Sequence, residues 1–218
     1  MAEKKFAVST QHYLFNVQAF AQYVLSQGGD EYEYGYYDGK TQDVIDDVAS
    51  GKSELGVLMH TSTNAAALKD AFEKSEVEFV EITQSAPRVA IPKSHPLVNA
   101  QTLRIEDLQD YPYLYFEQGE NAADYLAEEA FVEIEHARKI ACTDRASLSE
   151  MAAALNGYTI TSGILVGVTD GSLLTTVPLE TTETLHLGYI KPKGAELGPR
   201  ASKYVQKLEK SLERYARF

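Results

Sequence analysis

Apolar and polar positions follow two alternating rhythms along the chain. FAVS near the start is a short apolar run that reads as a strand. HYLFNVQAFAQYVLSQGG follows, placing Phe15, Ala19, Phe20, Tyr23 and Val24 on one helical face before Gly28 and Gly29 end it. YEYGYY predicts a second strand, and DGKTQDVIDDVASG a second helix with Thr41 as N-cap, Val44, Ile45 and Val48 inward, and Gly51 as its stop. ELGVLM is a buried strand. NAAALKDAFEKS is a helix with Leu68 and Phe72 inward, and VEFVEI has the alternation of a half-exposed edge strand. Strands alternating with helices imply a mostly parallel sheet.

Near Arg88 the pattern restarts. RVAIP is a strand, SHPL a turn, LRIEDLQDYP a short helix ended by Pro112, and YLYF a strand. Helix NAADYLAEEAFVE, strand HARKIACT, helix SLSEMAAALNG and strands YTIT, LLTTVPL and LHLGYI follow. Ser147 and Glu150 have the spacing of a capping box, and Asp144 is a second candidate cap. A last helix opens at Gly198-Pro199 and turns Tyr204, Val205, Leu208, Leu212 and Tyr215 inward.

Composition narrows what such a chain does. Its 218 residues suffice for two small lobes, each with its own core. No apolar run approaches the roughly 20 residues of a membrane helix, and MAEKKFAVST lacks the apolar stretch of a secretion signal, so a cytoplasmic location is expected. The single cysteine, Cys142, excludes an internal disulfide and reads as a small core residue. Net charge is −12, a sign that repels phosphate backbones, so the chain itself is not expected to bind DNA. The charge is uneven: residues 1–87 carry 6 basic and 14 acidic side chains, 88–190 carry 6 and 15, and 191–218 carry 8 and 3. A basic last helix therefore has an acidic first lobe to pack against.

Catalytic and cofactor signatures do not appear. His12, His60, His95, His136 and His186 show no paired metal-ligand spacing, and there is no nucleophile elbow or phosphate-binding glycine loop, so neither metal nor cofactor is expected. In parallel α/β sheets, ligands sit beyond the carboxyl ends of the strands, where loop amides and helix N-termini converge. That rule selects Ser9, Thr10, Gln11, Thr41, Met59, Gln84 and Ser85 in the first half, and Phe116, Thr161 and Ser162 in the second. Arg88, at the crossover, is a candidate partner for a ligand carboxylate. Hydroxyls beside free helix amides favour a small anion, by roughly 0.3–1 kcal/mol for each helix-end interaction.

Four segments carry a family resemblance. They are Asp38-Gly39-Lys40-Thr41 running through Gly51 to Glu54-Leu55-Gly56-Val57; Ser94-His95-Pro96-Leu97 with LRIEDLQDYP and YLYF; CTDRASLSEMAAALNGYTIT; and VPLETTETLHLGYIKPKG with the terminal helix. In this order and spacing, and with VSTQHYLFNVQAF before them, they resemble the effector-binding domain of LysR-type transcriptional regulators over nearly the whole chain. The resemblance implies a periplasmic-binding-protein-like, type 2 fold: two Rossmann-like α/β lobes with a ligand cleft between them. It places lobe I at 1–87 plus 191–218 and lobe II at 88–190. It also implies that Ser9 or Thr10 and Thr41 face the effector, and that two subunits pair antiparallel through the first helix, with Tyr13, Val17 and Phe20 as contacts, and the helix at 147–156.

Two features depart from the family pattern. The family's N-terminal winged helix-turn-helix and linker helix have no counterpart here, which reads as a sensor separated from its head rather than a stand-alone relative. Asn156 stands where many relatives have the first glycine of a Gly-x-Gly loop. The expected function is sensing of a small metabolite, an organic acid by the character of the strand ends, in a homodimer that reaches DNA only through the missing head and involves no membrane. A stand-alone solute-binding protein of a transporter is the alternative, and an enzyme on this fold would need a catalytic cluster that the sequence does not show.

Overall fold

A computed structural model describes residues 5–130, 135–166 and 173–215. The first sheet is built from β1 (Phe6–Thr10), β2 (Tyr34–Asp38), β3 (Leu55–Thr61), β4 (Val77–Ser85) and β10 (Leu185–Pro192), in the order β2-β1-β3-β10-β4. β1 pairs in parallel with β2 and β3, whereas β10 runs antiparallel between β3 and β4. The expected edge strand β4 is indeed at the edge. β10 lies in this sheet over its whole length, so residues 185–190, assigned by sequence to lobe II, pair with the first lobe instead.

Helices α1 (Leu14–Gln27), α2 (Thr41–Ala49), α3 (Ala65–Lys74), α4 (Arg145–Leu155) and α5 (Pro199–Tyr215) complete the regular structure. α1 and α5 pack on each other; α2 packs on β1, β3 and β10, and α3 on β3 and β4. Phe6, Phe20, Tyr23 and Tyr204 form an aromatic cluster under α1 and α5, with Phe6 and Tyr23 centroids 4.8 Å apart. The Tyr204 hydroxyl donates to Asn16 Oδ1, and the expected charge complementarity appears as an Arg200–Glu54 pair at 3.1 Å. The side chain of Tyr215, expected inward, lies outside the described residues. Between α2 and β3 the approach is so close that a Cβ on Gly56 would sit 2.6 Å from Val44 Cγ1 and 2.8 Å from Ile190 Cγ1, which explains glycine in a buried strand.

The second region is less regular. β5 (Arg88–Pro92) is flanked by β8 (Thr159–Thr161) and β9 (Leu174–Pro178), both antiparallel to it, and β6 (Tyr113–Phe116) pairs in parallel with β7 (Lys139–Cys142). A bridge between Tyr113 and Tyr158 joins the two sets. The parallel expectation therefore fails here, because β8 and β9 join the sheet against the direction of β5. Cys142 is buried with Leu114, Phe116, Leu148 and Leu174, the core role expected of it.

Several local expectations change. The helix expected over 121–133 is absent from the described residues; only a 3-10 turn at Asp124–Leu126 forms, and 131–134 fall outside them. Asp144, not Ser147, caps α4, accepting from the Ser147 N–H at 2.9 Å, because the helix starts two residues before the expected box. Asn156 takes the left-handed conformation at φ 49°, ψ 41° as C-cap of α4, so the turn keeps its geometry with the non-glycine residue that best tolerates it.

Candidate functional site

Beyond the carboxyl end of β1 the chain builds a saturated polar network. Gln11 is fully buried. Its Nε2 donates to Thr41 Oγ1 at 2.5 Å, and its Oε1 accepts from the Tyr13 hydroxyl at 2.6 Å and the Met59 N–H at 2.9 Å. Thr41 is the first residue of α2 and not its cap; Lys40 holds that position. The Thr41 hydroxyl donates outward to Leu126 O at 2.7 Å, and its N–H donates to Gln118 Oε1 at 2.9 Å. The end of β1 is thereby tied to residues 118–126.

One residue further, that segment supplies a buried carboxyl partner for an imidazole. Glu128 accepts from the His12 N–H at 3.1 Å, from His12 Nδ1 at 2.9 and 3.1 Å through its two oxygens, and from Gln118 Nε2 at 3.1 Å. The His12 ring stacks on Phe116, 4.1 Å between centroids and 6° between planes. Burial works against a charged imidazole, but the Glu128 carboxylate outweighs it and raises the His12 pKa above its ordinary value. Next to it, Glu129 accepts from the Phe116 N–H at 2.8 Å with Oε1, while its buried Oε2 has no hydrogen-bond partner. Burial, then the neighbouring Glu128, hold the Glu129 carboxyl well above the usual range.

These groups enclose a cavity between the two sheets with about 40 Å³ open to water. Met59 of β3 and His12 and Tyr13 after β1 line it from the first lobe, Phe116 of β6 and Thr161 of β8 from the second region, and Arg145 and Ser149 from α4. The Arg145 guanidinium also lies 5.8 Å from the Phe116 ring centre. The volume admits a few water molecules but not an organic metabolite.

Of the residues selected by sequence, Met59, Phe116 and Thr161 meet in this cavity. Thr10, Gln11 and Thr41 lie behind it with their side chains committed to the chain; Thr10 Oγ1 donates to Gln11 O at 2.7 Å. Ser9 points away to the α2 side, bonded to Asp47 Oδ2 at 2.6 Å and Ser53 Oγ at 2.8 Å, because successive strand residues face opposite sides of a sheet. Gln84 is exposed and donates to Glu81 at 2.8 Å, while Ser85 keeps a buried hydroxyl without a partner at the end of β4. Arg88 does not face the cavity. It donates to Thr176 Oγ1 at 2.9 Å and Thr176 O at 3.2 Å, and packs against Gly163, whose φ is 80°. Ser162 accepts from the Ile164 N–H at 3.4 Å, serving that turn.

Of the candidate pairing residues, Phe20 belongs to the aromatic core and Tyr13 is bonded to Gln11; Val17 alone is exposed, at 39%. α5 and the first sheet cover the apolar face of α1. His12, Glu128, Glu129, Arg145 and Ser149 were not selected by sequence. His12 directly follows the chosen strand end, and Arg145 follows the cap Asp144, so both had a positional signal; Glu128 and Glu129 sat inside a helix that does not form.

The LysR substrate binding domain model matches residues 37–213. The chain belongs to the LysR substrate-binding domain family. Members are regulatory sensing domains, not enzymes, and the fold is the periplasmic-binding-protein-like type 2 arrangement. A solved structure of the effector binding domain of QuiR in complex with shikimate superposes with a TM-score of 0.64 at 11% identity, covering 98% of this chain and 99% of that one. The BenM effector binding domain with its effector benzoate gives 0.65 at 13%, covering 99% and 95%. HinK, a LysR family transcriptional regulator from Pseudomonas aeruginosa, gives 0.64 at 16%, covering 96% of this chain and 70% of HinK. No curated protein sequence matches. Among the described residues of this LysR-family domain, no cluster of side chains is placed to hold a metal ion, and no helix is long and apolar enough to cross a membrane.

Proposed function

We propose that this chain is the sensing part of a cytoplasmic LysR-type transcription regulator, and that a small organic acid held between its lobes modulates transcription. The observation that carries this reading is the cavity at His12, Phe116, Arg145 and Thr161, to which both sheets contribute and where donors for an anion converge. That QuiR and BenM structures hold shikimate and benzoate is consistent with a small acid here. With about 40 Å³ open, binding needs the cleft to open or the 117–130 segment to shift. An effector then acts to the extent that it favours one arrangement over the other.

The lobes are assigned as residues 5–87 with 185–215, and 88–184. Pairing of two copies through α1 and α4 presents Val17 and Leu155, which are 39% and 48% exposed. DNA contact is assigned to a part of the regulator other than this strongly acidic domain. The test is a thermal-shift screen of small carboxylates, sugars and nucleotides. A carboxylate at about a hundred times its Kd stabilises by roughly 2.7 kcal/mol. A screen in which sugars or nucleotides shift melting and no carboxylate does would overturn the ligand class.

A further inference from the structure

We propose that the cleft contains a carboxylate seat, formed by the main-chain N–H and imidazole of His12 and the amide of Gln118, that the chain's own Glu128 occupies it, and that a carboxylate effector binds by exchange with Glu128. The inference rests on the sensing function proposed above. Both oxygens of Glu128 are engaged, one by the His12 N–H at 3.1 Å and the ring, the other by the ring at 2.9 Å and Gln118 Nε2 at 3.1 Å. This is how a bound organic acid is held, yet the carboxylate belongs to a residue 116 positions away and is only 3% exposed.

The carrier of this carboxylate is an irregular segment held by few polar contacts. Residues 117–130 contain no regular element beyond the 3-10 turn at Asp124–Leu126. They attach to the first lobe through Thr41 Oγ1 to Leu126 O at 2.7 Å, Thr41 N to Gln118 Oε1 at 2.9 Å, Asn64 Nδ2 to Tyr125 O at 3.0 Å and the Lys40–Glu117 pair at 3.4 Å, and through Leu126, which packs with Val44, Ile45 and Leu68. On the far side of the segment lies a second cavity of about 290 Å³, lined by Thr61, Asn64, Tyr125, Ala130 and Glu183. Glu129 lines both cavities, so a shift of the segment into the larger one enlarges the smaller. The buried, unpartnered Glu129 Oε2 marks the same place as incompletely satisfied.

The chemistry of the displacing ligand follows. Its carboxylate takes the His12 and Gln118 donors, with Arg145 on the same wall, and its body meets Met59, Leu148, Ile160 and Leu174. That selects a compact carboxylic acid with an apolar body. Sugars and nucleotides, whose polar hydroxyls or phosphates would face this apolar wall, are disfavoured.

The test replaces the tethered carboxylate with a free one. Glu128→Ala and Glu128→Gln are titrated with sodium acetate against sodium chloride of equal ionic strength, reading melting temperature and the His12 ring signals by NMR. Acetate should restore the stability lost in Glu128→Ala and shift the His12 signals. Its affinity should exceed that for the wild type by at least about tenfold, because a tethered competitor at high effective concentration has been removed. Glu128→Gln, which keeps the shape of the side chain, should fall between the two and carries the comparison alone if Glu128→Ala does not fold. Equal acetate affinity in wild type and variants, or equal restoration by chloride, overturns the seat. If acetate rescues but no metabolite shifts the wild type, the sensing function fails and the seat stands; if a metabolite binds all variants alike, the reverse holds.

Discussion

Two buried clusters flank the carboxyl end of β1, and they use nearly the same chemistry to opposite ends. Ser9 closes on Asp47 and Ser53, whose donors and acceptors all come from the first lobe. Three residues on, His12 closes on Glu128, itself bonded by Gln118, and stacks on Phe116; these partners come from the other side of the cleft. The first cluster moves with its lobe and is intact whatever the lobes do. The second exists only while the 117–130 segment sits in the cleft. A polar network is a fixture or a switch according to where its partners are anchored, not according to which groups it contains.

Removing the imidazole should have the largest effect. His12→Leu leaves Glu128 buried without its ring partner, a loss of roughly 3–5 kcal/mol, and it should also abolish any carboxylate-dependent shift in melting. Ser9→Ala removes hydrogen bonds to Asp47 and Ser53 and should cost about 1–3 kcal/mol, yet leave the carboxylate response intact, since Asp47 keeps Lys52 at 2.9 Å. Calorimetry with and without ligand separates the two. A Ser9 variant that loses ligand response as His12→Leu does would erase the distinction.

Acidity sharpens the same contrast. The His12 pKa is raised, so the stability it contributes is fully present below its unfolded value of 6.5 and is lost as pH rises through the folded value. The Glu129 pKa is also raised, so its contribution is present below its unfolded value of 4.5 and lost as pH rises towards the folded one. Stability should therefore fall from mildly acidic to alkaline pH. Glu129→Gln should make the decline with rising pH shallower; a profile parallel to the wild type's would show that Glu129 does not contribute to it. The smallest effect on stability is expected at the surface: Val17→Glu should stay within about 0.5 kcal/mol of wild type while shifting light scattering from dimer to monomer.

The contrast also explains how much was legible in the sequence. Helix and strand rhythm announced most of the elements, because β1, α1, α2, α3 and α5 each bury one face against a continuous sheet. The strand-end rule selected three residues that line the cavity, Met59, Phe116 and Thr161. It erred on Ser9 because a one-residue step in a strand reverses the facing side. Arg88 went astray because its guanidinium is used within its own sheet by Thr176. Glu128 was out of reach for a different reason: a residue that acts by filling a site across 116 positions leaves no local period, and NAADYLAEEAFVE has a helix composition that tertiary contacts override.

Hydrogen–deuterium exchange on the wild-type chain, with and without a carboxylate found in the melting screen, tests the switch most directly. Bound ligand should speed exchange in residues 117–130, freed from His12 and Thr41, slow it at His12, and leave Ser9, Asp47 and Ser53 unchanged. Slower exchange throughout 117–130, with Glu128 still in place, would contradict exchange at the seat and leave the segment as part of the binding wall.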